Sequence, residues 1–208
     1  MKASLIVVAF FVAGCLIGWG IDVGELLSGG NLTRYVLYLL MLLVGLSIGC
    51  DKKLKEITKS VRLRLLLVPL ATIIGTLSFS ALAALFISRW SLFDCLAVGS
   101  GFAYYSLSSI LITELKTATL GVQLATELST IALMTNIIRE VMALLGAPLF
   151  VKYFGKLAPI CAGGATTMDT TLPIITQYSS KNYVFIAIFH GILVDMSVPF
   201  FVSFFCGL

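Results

Sequence analysis

Charge is scarce in this chain. Of its 208 residues only 12% are Asp, Glu, Lys or Arg and 59% are hydrophobic, whereas about a quarter of an ordinary soluble domain is charged. A water-soluble fold cannot hide that much apolar surface, so the composition excludes one. Histidine occurs once, which leaves little room for acid–base chemistry. No Walker-type loop, HExxH or zinc-ligand spacing is present, so neither an enzyme nor a resident metal or cofactor is expected. Asp169 and Asp195 stand in no recognisable context for an intramembrane protease dyad. The cysteines, at 15, 50, 95, 161 and 206, are odd in number and widely spaced without a CxxC pair. They read as packing residues rather than a disulfide framework. The apolar N-terminal stretch is followed by no small-x-small cleavage site, so it is expected to stay as a first span.

What the chain does have is long uncharged runs, at 3–21, 35–50, 65–88 and 95–113. Each approaches the roughly 20 residues needed to cross about 30 Å of hydrocarbon. Its net charge of +4 is concentrated in one loop, where Lys52, Lys53, Lys55, Lys59, Arg62 and Arg64 stand close together. Such loops face the cytoplasm, which accounts for the charge without a nucleic-acid partner. The N-terminus then lies inside, the turn carrying Asp22 and Glu25 outside, and the third span runs outward to Ser88.

Two later segments are interrupted. VGSGFAYYSLSSILITE is broken by Gly99, Gly101 and several serines, and APICAGGATTMDTTLPIITQ by Gly163, Gly164, four threonines, Asp169 and Pro173. Glycine and serine at that density weaken a helix, and proline breaks or kinks one. Aligned without gaps, Gly101 matches Gly164, Ile112 matches Ile175 and Thr113 matches Thr176, a weak internal repeat. If both segments dip in and return, the long helix from about Leu120 to Pro148 runs outside to inside, and a last span from about Tyr183 to Phe205 ends outside. The expected fold is an all-α integral membrane protein with about five transmembrane helices and two oppositely inserted re-entrant or broken helices. It forms one membrane domain over 1–208, with three spans in 1–90, the first broken segment and long helix in 94–156, and the second broken segment and last span in 157–208. Paired broken helices of this kind line the substrate site of inverted-repeat transporters. The alternative is two ordinary spans packed through small residues.

Each ionisable group in hydrocarbon costs at least roughly 2.5 kcal/mol and calls for a partner or a purpose. Arg139 and Glu140 lie deep in the long helix, about 100° apart around it, and Asn136 shares the Glu140 face one turn earlier. A membrane carboxylate can bind a cationic cargo when ionised and a proton when empty. For Glu140 the alternative is a structural ion pair, and for Arg139 it is snorkelling to the headgroups. Asp169 sits among Thr166, Thr167, Thr170 and Thr171, a group able to replace a hydration shell or, alternatively, to cap the next helix. Ser106, Ser108 and Tyr105 complete the candidate site from the first broken segment. His190 reads as a proton relay or an interhelical hydrogen-bonding residue.

The blocks GFAYYSLSSILITE, NIIREVMAL, GATTMDTTLP and AIFHGILVDMSVP, in this order, resemble the bacterial lysine exporter LysO family, and the resemblance covers nearly the whole chain. It implies export of lysine and toxic lysine analogues across the inner membrane, against protons, with Glu140 as the acid associated with export and Asp169 within the family's GATxMDxTLP block. The usual family chain has further spans ahead of this region, so the resemblance also implies a short form, completed by a small membrane partner or by a homodimer. Asp51 is no secure substitute for the acid of those spans. The runner-up from another class is a noncatalytic membrane scaffold or accessory subunit; another basic amino acid or a cation is the alternative cargo.

Overall fold

The computed structural model describes residues 63–208 and, ahead of them, only Tyr35, Leu39 and Leu42, each helical. Apart from those three residues, the first two expected spans, Asp51 and most of the basic loop therefore lie outside the described residues. Among the described residues every regular element is a helix. After a 3-10 turn at Leu63–Leu66 come α1 (Leu67–Ala84), α2 (Leu92–Gly99), α3 (Tyr105–Leu120), α4 (Val122–Phe154), α5 (Ala158–Gly163), a 3-10 turn at Gly164–Met168, α6 (Leu172–Ser179) and α7 (Val184–Cys206).

Three of these are long and apolar enough to cross a membrane: α1, α4, and α7 with the turn that precedes it. At about 1.5 Å per residue, the 33 residues of α4 exceed the hydrocarbon thickness. The sequence places the end of this helix near Pro148, but it continues to Phe154. A proline forfeits one backbone donor without ending an otherwise apolar helix; the stop is Gly155, at φ +87°, a conformation that only glycine adopts without strain. Pro173 likewise does not break α6 but opens it, in the first turn, where a missing N–H costs nothing.

Both interrupted segments double back. The first begins with a capping box, in which the Ser91 hydroxyl accepts from the Asp94 N–H and the Asp94 carboxylate from the Ser91 N–H, each at 3.1 Å. Eight residues later α2 stops, and the chain turns through Phe102 and Ala103 at φ +45° and +76°. It returns as α3 far enough for Lys116 Nζ to reach Asp94 Oδ1 at 3.0 Å. Both side chains are more than nine-tenths buried, so this ion pair closes the base of the α2–α3 hairpin. The second segment goes in as α5, turns at 164–171 and comes back as α6. Ile160 and Ile175, both fully buried, pack together with Ala187 of α7.

Candidate functional site

The two turns meet at the middle of α4. The Ala165 N–H donates to the Phe102 carbonyl at 2.8 Å, joining the tip of one hairpin to the tip of the other. This approach demands glycine at 164: a Cβ there would stand 2.2 Å from the Phe102 oxygen, and φ is +60°. Gly101 is under the same constraint from another side, since its Cβ would meet Asn136 Nδ2 at 2.2 Å. The glycines that match in the internal alignment thus both mark places where backbone meets a neighbour.

The alignment reaches further. Thr76 and Arg139 are 63 positions apart and hydrogen-bonded at 3.1 Å; Phe102 and Ala165 have the same separation and touch as well. Val98 and Cys161, again equivalent, each present a carbonyl near the end of a short helix, and α4 supplies the donor to both. Asn136 Nδ2 donates to Val98 O at 3.5 Å, and Arg139 Nη2 to Cys161 O at 3.1 Å.

Asn136, 2% exposed, fixes the first tip. Its Oδ1 accepts from the Ala103 N–H at 2.7 Å, and its amide donates to Ala132 O and, at 3.4 Å, to the Ser108 hydroxyl. Arg139 fixes the second. Besides Cys161 and Thr76, it donates from Nε to Ala162 O at 2.9 Å. Its cation therefore sits on the carbonyl end of α5, the negative end of that helix's dipole, rather than reaching for headgroups. His190 is fully buried on α7 between two hydroxyls: Thr72 Oγ1 of α1 at 2.9 Å from Nε2, and Thr167 Oγ1 of the second tip at 3.1 Å from Nδ1.

The remaining predicted site residues divide by exposure. Thr166 and Thr167 are buried, with hydroxyls turned to the Gly163 and to the Gly164 and Ala187 carbonyls respectively. Ser108 is buried beside Asn136. Tyr105 and Ser106, at the start of α3, are exposed, as are Asp169 and Thr170 on the other tip. Asp169 Oδ1 accepts from the Thr170 N–H at 2.6 Å; Thr171, not Asp169, occupies the N-cap position of α6. Glu140 is half-buried, one turn past Asn136, and no described residue forms a hydrogen bond or ion pair with it. One feature escaped the sequence reading: the Asp94–Lys116 pair, whose one signal is the SxxD spacing of a capping box. Asp195, an acid of the apolar last span, is 6% exposed on α7.

The sequence profile described as "Lysine exporter LysO" matches residues 8–206. Among curated proteins, the "Lysine exporter LysO" of Escherichia coli strain K12 is 31% identical over 175 residues, covering 83% of this chain and 54% of that protein. A Haemophilus influenzae protein named "Putative lysine exporter" is 30% identical over 198 residues, 93% of each chain. The chain thus spans about half the length of the first relative and nearly all of the second. No solved structure matches it.

Proposed function

The chain belongs to the lysine exporter LysO family, and from that premise we propose that it works as a membrane transport unit exporting L-lysine and toxic lysine analogues across the inner membrane, in exchange for protons. The observation that carries this reading is the meeting of two broken helices at mid-α4, beside Glu140, which no described residue engages. Irregular backbone at membrane depth is tolerated where it is buried in protein or lines water, and an intramembrane carboxylate held there is suited to bind a cation and a proton in turn.

In this reading α2–α3 enters from the outer face and α5–α6 from the inner, giving five spans with the N-terminus inside and the C-terminus outside. Lysine's ammonium group meets Glu140 or Asp169. Its carboxylate meets the exposed N-terminal turn of α3, where free N–H groups and the helix dipole favour an anion. Arg139, Asn136 and His190 hold the tips in place, while Ser106 and Tyr105 face the cargo from the first tip. The segment that the longer relative has and this chain does not match would be supplied by a small membrane partner or by a second copy.

Vesicles loaded with labelled lysine and given a proton gradient test this directly. Release driven by the gradient is expected, and Glu140→Gln should abolish it while leaving the protein folded. Well-folded protein that moves no lysine in either direction, alone or with its partner, would overturn the transport reading in favour of a scaffold.

A further inference from the structure

The helix α7 passes both tips in turn. Near its start the Ala187 carbonyl accepts from the Thr167 hydroxyl at 2.9 Å. At Gly191 it lies so close to the second tip that a Cβ would stand 2.7 Å from the Met168 nitrogen. Further on, the Phe201 ring stands edge-on to Phe102 of the first tip, with centroids 6.1 Å apart. Asp195 comes one turn after Gly191 on the same face, about 6 Å along the axis from it and about 9 Å short of Phe201. It therefore lies at the level where the tips join.

This carboxylate is 6% exposed, next to Val194 and Val198, which are fully buried. No described residue hydrogen-bonds or ion-pairs with it. The two cations of the described interior are engaged elsewhere, Arg139 with the α5 carbonyls and Lys116 with Asp94, at the far end of α7 near Cys206. The ionisable groups that do face Asp195 are Asp169 of the second tip and Tyr104 at the head of α3, both within electrostatic reach. A carboxylate removed from water needs a donor or a counter-charge, and neither neighbour is a cation.

The geometry points to Asp195 as a binding residue of the transport site: its carboxylate, set on α7 against the joined tips, takes the cationic group of the cargo together with Asp169. This rests on the transport reading above and gives it a second carboxylate, from a helix outside both hairpins. Two carboxylates from different elements favour a cargo that carries a side-chain ammonium over an amino acid of the same length without one. Because α7 touches both tips, a cation held by Asp195 and Asp169 also ties α7 to the second hairpin.

The full chain in detergent should be treated with dicyclohexylcarbodiimide, which modifies carboxyl groups in apolar surroundings, and the label at each acid read by peptide mass spectrometry. Saturating lysine is expected to lower labelling of Asp195 at least fivefold, and norleucine, which lacks the side-chain ammonium, to leave it unchanged. Asp195 that takes no label, or the same label with lysine present, overturns the inference. Protection of Asp169 without Asp195 sinks this assignment alone; protection at none of Glu140, Asp169 and Asp195 sinks the lysine reading with it. In parallel, Asp195→Asn, eluting as wild type in gel filtration, should weaken lysine's protection of Asp169 at least tenfold in half-saturating concentration. An unchanged value overturns the proposal.

Discussion

The Phe102 carbonyl accepts a hydrogen bond from the Ala165 N–H at 2.8 Å, joining the turn of the first interrupted segment to the turn of the second. A single backbone contact therefore registers one hairpin against the other, and the side chains of α4 hold both halves of it.

Gly164→Ala should be severely destabilising. The new Cβ would stand 2.2 Å from the Phe102 oxygen, and backbone cannot swing aside as a flexible side chain can. Overpacking and backbone strain together predict a loss of about 3 kcal/mol, read as a fall in the unfolding midpoint in detergent. Gly155→Ala is the control, because its φ is also positive but its surroundings are open; backbone strain alone, about 1–2 kcal/mol, is expected there. Equal losses at the two sites would mean that the tips do not meet as described.

Arg139→Gln removes the cation from the carbonyl end of α5 and leaves Ala162 O, Cys161 O and Thr76 Oγ1 without their donor. Hydrogen bonds to charged groups contribute about 1.5–3 kcal/mol each, so a loss of about 3 kcal/mol is expected after partial relaxation. Arg139→Lys should fall between, since an ammonium keeps the charge but not the planar fork. Thermal unfolding that ranks Lys no better than Gln would show that charge at this helix end is irrelevant.

The Asp94–Lys116 pair calls for a double-mutant cycle. Either single change, Asp94→Leu or Lys116→Met, strands a buried charge and should cost about 3–5 kcal/mol. The double variant should cost only about 1 kcal/mol, mostly the lost capping box of α2. Additive losses would argue against a buried, mutually dependent pair at the base of the first hairpin.

Single cysteines test which faces of the tips reach water. At Ser106 and Thr170, both exposed, membrane-impermeant thiol reagents should react from opposite sides of the membrane. At Ser108 and Thr167, buried and hydrogen-bonded to Asn136 and His190, labelling should be at least tenfold slower. Reaction of Ser106 and Thr170 positions from the same side would refute opposite insertion.

The amino-acid sequence alone determined the class of protein, because scarcity of charge and runs of hydrocarbon length leave an unpaired backbone no other solution than helix. It also determined where the helices break. Glycine, serine and threonine clusters weaken local hydrogen bonding wherever they occur, and the interruptions at 100–104 and 164–171 follow from composition. Glu140 and Asp169 stood out for the same local reason, as charges among uncharged neighbours. What a polar residue faces is not local. Only the tertiary structure decided that Arg139 and Asn136 grip helix ends, that Thr166 and Thr167 spend their hydroxyls on nearby carbonyls, that His190 joins α1 to the second tip, and that Asp195 is buried beside the crossing. Apart from the threonines' bonds to Gly163 and Gly164, these outcomes depend on partners 20 or more positions away, brought close by the packing of α4 and α7 against two hairpins.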